Sequence, residues 1–359
     1  LWNILRPILV ILCVTVIVVG IFATGWHFIS ARYVDPVDAS STAAVTFEVK
    51  SGSSLTRVAN NLEAAGLVRN RSVFKYYADF LGYGQKIQAG TYTLSPSMTL
   101  REIAEQLTRG DGTPLVRKIT IIEGWTVQSI AAYLKREGVI SDEEQFLSLC
   151  RTGERFSAYY YIADVRASAN FSQRIYALEG YLSPNTYEIY TSATPEEIIK
   201  KLLSQTEAVF RDEWHDRADA LGMTMDQVIT LASLIEKEAK QADFARVSAV
   251  FHNRLKINMA LGSDVTIKYV TGIERMSLNN SDLSVDSPYN TYRNKGLPPG
   301  PICNPSAAAI EAALYPDETF TAQNYLYFCS KDPATGELYF SRTLEEHEAA
   351  VKIYAPLWQ

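Results

Sequence analysis

Residues 228–240, VITLASLIEKEAK, read as a helix that is apolar around most of its circumference. At about 100° per residue, Val228, Leu231, Ala232, Ile235 and Ala239 gather on one side, and Ile229 and Leu234 widen the stripe. Thr230, Ser233, Lys237 and Lys240 fall opposite. Such a helix has to be wrapped by other elements, so it sets the centre of whatever unit contains it. It also carries two acids inside the apolar arc. Glu236 and Glu238 point about 160° apart, because residues i and i+2 do not share a helix face, and so they serve no common cleft. Glu236 has Lys240 four residues on and reads as half of a structural ion pair. Glu238 stacks over Leu234 and Ile235 with no cation near it in sequence. A carboxyl in those surroundings is expected to have a raised pKa and to keep its proton near neutrality, as a general acid must. On the helical wheel alone, a tertiary partner that neutralises Glu238 stays open as the alternative.

A chain of 359 residues is long enough for two or three folded units. Its formal charge of −6 argues against a nucleic-acid binder, which shows a basic face. The four histidines, His27, His215, His252 and His347, include no pair at metal-ligand spacing, so no zinc site is expected, and the main reading of the chain calls for no cofactor. Cys13 lies in the first apolar run, and Cys150, Cys303 and Cys329 allow at most one bridge among themselves; they read as small buried residues.

Pro7–Phe28 is uncharged, long enough to span a bilayer, and ends near an interfacial Trp26. A cleaved signal peptide ending at the small pair Ala23 and Gly25 is the competing reading; the length of the run and its continuation into Trp26-His27-Phe28 favour an uncleaved anchor. Residues 30–44 are small and polar and read as a tether. An internal repeat follows: residues 46–74 align without gaps on 118–146, pairing Gly52 with Gly124, Leu62 with Leu134, Gly66 with Gly138 and Phe74 with Phe146. Each copy predicts a short strand, a Gly turn and an amphipathic helix closed by Gly. Residues 90–110 repeat the strand–turn–helix pattern on a spine of Leu100, Ile103 and Leu107. Units of this size suit docking or glycan binding, or serve as a spacer; Asp111-Gly-Thr-Pro114 is the expected seam between the first and the second.

Seven later stretches belong together: LEGYLSPNTY (178–187), LASLIEKEA (231–239), VSAVFHNRL (247–255), LGSDVTIKY (261–269), PYNTYRNKGLPPGPICNP (288–305), YLYF (325–328) and FSRTLEEH (340–347). In this order they resemble the endolytic murein transglycosylases of the MltG or YceG-like family. Where that family reads LQSDPT this chain has LGSDVT, with Gly262 and Val265 replacing Gln and Pro, and Asn185 stands where an Asp is usual. The resemblance implies an α+β fold: an N-terminal transmembrane helix, small LysM-like β/α units, then a mixed α+β catalytic domain. The expected boundaries are 1–29 for the anchor, 30–44 for the linker, 45–112 for a LysM-like unit, 113–171 for the second repeat and connector, and 172–359 for the catalytic domain.

The resemblance also implies a reaction, cleavage of the β-1,4 bond between N-acetylmuramic acid and N-acetylglucosamine within a glycan strand. The family's catalytic acid falls on Glu238. It protonates the leaving oxygen and then, as a carboxylate, accepts the proton of the sugar's own C6 hydroxyl, which closes a 1,6-anhydro ring. One acid–base residue suffices because the nucleophile belongs to the substrate; ordinary glycosidases use two carboxylates. Asn253, Ser263, Asp264, Thr266, Tyr289, Asn290 and Tyr292, from the matching motifs, are the candidate substrate-binding residues. The implied setting is the plasma membrane, single-pass, with the catalytic domain on the extracytoplasmic side. Peptidoglycan strands are the expected partner, peptidoglycan synthases are candidates, and nucleic acid is not one. Two other readings stay open: an inactive wall-binding scaffold, and a pyridoxal-phosphate lyase.

Overall fold

The computed structural model describes residues 30–109, 116–191, 193–275 and 277–358, with a few positions of the N-terminal run. Most of Pro7–Phe28, Cys13 and the 111–114 seam lie outside the described residues. Among those described, no helix is long and apolar enough to cross a membrane. The chain forms two compact units, Leu1–Arg117 with Tyr190–Ser192, and Lys118–Ile189 with Ala193–Gln359.

In the first unit, strand β1 (Val45–Val49) leads into helices α1 (Leu55–Ala64) and α2 (Arg71–Phe80), then strand β2 (Gly90–Leu94) and helix α3 (Leu100–Arg109). β1 and β2 pair antiparallel from Val45 opposite Leu94 to Val49 opposite Gly90. Alternation turns Phe47, Val49, Tyr92 and Leu94 inward onto Leu62, Phe74, Ile103 and Leu107. Ser54 caps α1 by accepting from the Arg57 N–H, and Asn70 caps α2 through the Ser72 and Val73 N–H groups. Part of the segment expected to be a tether, residues 34–38, is docked on the first unit. The Arg69 guanidinium donates to the carbonyls of Pro36 (2.7 Å) and Val37 (2.9 Å), Asp38 N–H donates to Pro96 (3.0 Å), and Val34 packs on the core. Its small polar residues give no sign of this in the sequence; backbone carbonyls offered to one arginine hold it down.

The second unit repeats the order strand, helix, helix in β3 (Val116–Ile121), α4 (Val127–Arg136) and α5 (Glu143–Thr152). The paired glycines adopt matching left-handed backbones, φ 70° and 73° at Gly52 and Gly124, 68° and 62° at Gly66 and Gly138, a region that costs glycine nothing. β3 pairs with β4 (Asn185–Tyr190), after the short helix α6 (Tyr160–Ala167). Then come α7 (Pro195–Val209), α8 (Asp212–Leu221), α9 (Met225–Glu238), α10 (Phe244–Lys256), α11 (Asp264–Thr271) and α12 (Ala307–Leu314). A hairpin of β5 (Tyr327–Asp332) and β6 (Glu337–Ser341) and a last helix α13 (Leu344–Tyr354) complete it. Every residue of α9 from Val228 to Ile235 is buried, as the apolar wheel requires, and α10 and α12 pack on it. The second repeat shares this core: Val127, Ile130, Leu134 and Phe146 join Leu178, Ile198, Ile229 and Leu231 in one cluster. Cys150, Cys303 and Cys329 are free thiols, all buried.

Candidate active site

A capping box starts α9: Thr224 accepts from the Gln227 N–H and the Gln227 side chain reaches back to Thr224 N–H. The helix stops at Glu238, because Ala239 turns extended at φ −139° and ψ 170°. The expected Glu236–Lys240 ion pair is therefore a correction: with the helix ended, Lys240 no longer lies one turn above Glu236. Glu236 instead accepts from Ser306 N–H (2.9 Å) and Ser306 Oγ (2.6 Å), at the N-terminus of α12. A carboxylate there complements the helix dipole.

Glu238 faces the other way, into a cleft of about 720 Å³ walled by α9, α10, α11, the β5–β6 hairpin and α13. Ser263 Oγ donates to its Oε1. Burial among its neighbours pushes the Glu238 carboxyl up to about 7; the Ser263 hydrogen bond opposes that, Asp264 adds to it, and Lys268 and Arg254 oppose it more weakly. A carboxyl poised near neutrality can give a proton and take one back.

Of the candidate residues, Ser263, Asp264 and Tyr292 gather around Glu238. Ser263 is the N-cap residue of α11, and its own N–H donates to Thr291 Oγ1 at 2.9 Å. Asp264 accepts from the Tyr292 hydroxyl at 2.5 Å, and both line the cleft. The other four have their polar atoms engaged elsewhere. Asn253 donates to the carbonyls of Phe320 and Tyr325, and Asn290 to those of Leu283 and Val285. Thr266 donates to the Ser263 carbonyl from a fully buried position. Tyr289 packs against Tyr269 in the core. Thr266 and Asn290 brace the loops that carry Ser263 and Tyr292, Asn253 braces the segment before β5, and Tyr289 packs the core beneath.

Gly262 has φ +55° and donates its N–H to the Thr291 carbonyl; a Cβ there would lie 3.4 Å from Arg254 Nη1 and 3.6 Å from Tyr292 Cε1. The residue that replaces the family's Gln thus adopts a left-handed backbone that favours glycine. Asn185 opens β4 in an exposed position, its Oδ1 accepting from Thr186 N–H, and does not line the cleft.

Sequence reasoning left out several residues of the site. Arg254 lines the cleft and is fixed by the carbonyls of Leu326 and Leu261; it follows Asn253 directly in the HNRL stretch, which was the available signal. Tyr327 and His347 stack at 5.3 Å in the far wall, drawn from the YLYF and FSRTLEEH stretches. Glu179 is wholly buried outside the cleft. It accepts from Val127 N–H (2.9 Å), the Tyr269 hydroxyl (3.1 Å) and Asn304 Nδ2 (3.2 Å), and desolvation pushes its carboxyl up to about 8. Among the described residues no cluster of His, Cys, Asp and Glu fits a metal ion.

Residues 47–353 match the YceG-like family. An endolytic murein transglycosylase of Bacillus subtilis is 35% identical over 331 residues, covering 89% of this chain and 87% of its own length. One from Streptococcus pneumoniae serotype 2 is 32% identical over 345 residues; the match covers 88% of this chain but spans only 59% of that protein. A crystal structure of a putative yceG-like protein from Listeria monocytogenes, 33% identical, superposes with a TM-score of 0.56 over 86% of this chain and 99% of that one. With its matched segment running through both units, the chain belongs to the YceG-like family.

Proposed function

We propose that this chain is an endolytic peptidoglycan lytic transglycosylase, cutting the bond between N-acetylmuramic acid and N-acetylglucosamine within glycan strands and leaving 1,6-anhydro ends. The observation that carries the reading is one cleft carboxyl, Glu238, with a pKa near 7 and a hydroxyl donor on it. Relatives named endolytic murein transglycosylases, aligned over most of the chain, support it. Protonated Glu238 gives its proton to the glycosidic oxygen. The resulting carboxylate is steadied by Ser263 and by the nearby charges of Lys268 and Arg254. It then takes the C6 hydroxyl proton as that oxygen attacks the anomeric carbon. The bond to the leaving sugar breaks, the ring closes, and the acid is regenerated without water. The negative Asp264–Tyr292 pair sits where it can favour positive charge developing on the sugar ring.

The test is a digest of purified sacculi by the full chain and by Glu238→Gln, which keeps the shape but cannot exchange the proton. Anhydro-muropeptides from the wild type alone are the expected result. Reducing-end products would instead point to hydrolysis with Asp264 as the second carboxylate, and no release at all would point to the wall-binding scaffold.

The proposal sets the protein in the plasma membrane by one span at Pro7–Phe28, with the cleft outside the cytoplasm, acting to end the growth of nascent strands beside the synthases that make them. The uncharged apolar run supports the anchor. Sequencing the N-terminus of membrane-bound protein checks it, since a start near residue 26 would mean cleavage. The first unit, as a LysM-like module, is assigned the holding of glycan.

A further inference from the structure

The early end of α9 has a chemical consequence. Ala239 and Lys240 are both extended, at φ −139° and −84°. The chain therefore leaves the helix axis at once, and Lys240 lines the cleft together with Glu238. Its stem lies across Gly336 in the β5–β6 turn, where φ is +73° and a Cβ would come within 2.6 Å of Lys240 Cε. The left-handed backbone there favours glycine, and the absent side chain leaves room for the lysine stem. Among the described residues the Lys240 ammonium makes no hydrogen bond and no ion pair; only the main-chain carbonyl is engaged, accepting from Asp243 N–H. Asp332, the carboxylate near it, accepts from Ala334 N–H at 2.9 Å, with Lys240 a smaller influence on it. The cleft as a whole leans the same way. Its lining holds Lys237, Lys240, Arg254 and Lys268 against only two acids. One of these, Asp264, already accepts from Tyr292, and the other, Glu238, has to be protonated to act. In a chain of net charge −6, a cationic cleft calls for an anionic ligand.

We infer that Lys240 forms a subsite for a carboxylate on the C3 arm of a muramyl residue, an inference that rests on the function proposed above. A glycan of N-acetylglucosamine alone is neutral. The muramyl residue differs by a lactyl ether at C3, whose carboxyl is free in peptide-stripped strands and is extended by a peptide bearing its own carboxylates in the others. An ammonium that is seated on its stem and has no partner suits either.

The experiment measures kcat and KM for the full chain in detergent on three substrates. These are uncross-linked strands bearing peptides, strands stripped by an amidase so that the lactyl carboxylate remains, and peptide strands whose carboxylates have been converted to amides with carbodiimide and ammonia. The wild type is expected to prefer carboxylate strands over their amidated counterpart roughly fivefold through KM, the size of one partly exposed charge-assisted contact. Lys240→Gln should bring that ratio close to one with kcat held, and Lys240→Arg should restore it. A KM raised by Lys240→Gln on stripped strands assigns the lactyl carboxylate, and one raised on peptide strands alone assigns the peptide; either supports the subsite. A ratio unchanged in Lys240→Gln, or an equal fall on amidated and carboxylate strands in a variant with normal melting, overturns it. A wild type that cuts none of the three refutes the proposed function itself.

Discussion

The hydrogen bond from Ser263 and the charge of Asp264 act on Glu238 in opposite directions, and that contrast can be measured. Desolvation raises the Glu238 carboxyl to about 7, Ser263 stabilises its ionised form, and Asp264 destabilises it. Ser263→Ala is a clean perturbation. Its hydroxyl makes no capping bond to α11, and its backbone stays held by Thr291. A hydrogen bond to a charged group contributes about 1.5–3 kcal/mol, and 1.36 kcal/mol moves a pKa by one. Water entering the open cleft recovers part of that, so the variant's Glu238 should titrate about one pH unit higher. Asp264→Asn keeps an acceptor for Tyr292 but removes the negative charge, which should lower the same pKa by about half a unit. Glu238 has to be protonated to give its proton to the glycosidic oxygen, so activity falls as pH rises through its pKa. The alkaline limb of the kcat profile, near 7 in the wild type, should move up in Ser263→Ala and down in Asp264→Asn. The assay is release of anhydro ends from soluble strands across pH 5 to 9. Shifts of the same sign, or a downward shift in Ser263→Ala, would refute Glu238 as the titrating acid or the pair as its tuners.

Glu236→Gln should lower stability by about 1–2 kcal/mol, the scale of weakening a charged cap on a helix N-terminus, because it loosens Ser306 at the start of α12; measured at matched folded fraction, its activity should stay near wild type. Glu179→Gln tests the buried acid. The pKa of Glu179 is raised from 4.5 to about 8, so its contribution to stability is full below about 4.5 and drains away as pH rises through about 8. That drain is at most about 5 kcal/mol for this shift. The amide keeps an acceptor for Val127 and Asn304 and cannot ionise, so melting temperature should fall less between pH 6 and 9 than in the wild type, and parallel declines would count against a neutral Glu179.

What could be read from the sequence follows the reach of each signal. The 3.6-residue period separates Glu236 from Glu238, and the structure sends one to Ser306 and the other to Ser263. Period alone does not say where a helix stops. Ala239 is a good helix former, yet the chain leaves the helix there, and so the Lys240 pairing drawn from i,i+4 spacing does not form. Amphipathic patterns show that α4 and α5 bury one face, without saying that the face belongs to the same core as α9. Polar residues in a motif are the hardest to judge. Asn290 and Tyr292 stand two apart, and one holds Leu283 and Val285 carbonyls while the other reaches Asp264. Only the course of the backbone distinguishes a residue that builds a loop from one that lines a cleft.

The two repeats show how one local design acquires two uses. Gly52 and Gly124 share a backbone conformation, so the sequence alignment is also a structural one. Gly52 is exposed beside a strand that pairs within its own unit, β1 with β2. At Gly124 the strand pairs instead with β4, more than sixty residues on, and the turn faces α9. A Cβ at Gly124 would touch Glu236 Cγ at 3.5 Å and Lys237 Cδ at 3.6 Å, so the turn lies directly on the helix that ends in Glu238. Asn304 fastens it there: Gly124 N–H donates to the Asn304 carbonyl at 2.9 Å, and Asn304 N–H to the Trp125 carbonyl at 2.8 Å. Glu179 ties the next turn by accepting from Val127 N–H. Neither copy carries an acid of its own into the cleft. The second contributes by fixing the last turn of α9 from behind, and a general acid depends on that fixity, since proton transfer requires the donor held within hydrogen-bond reach of the reacting oxygen.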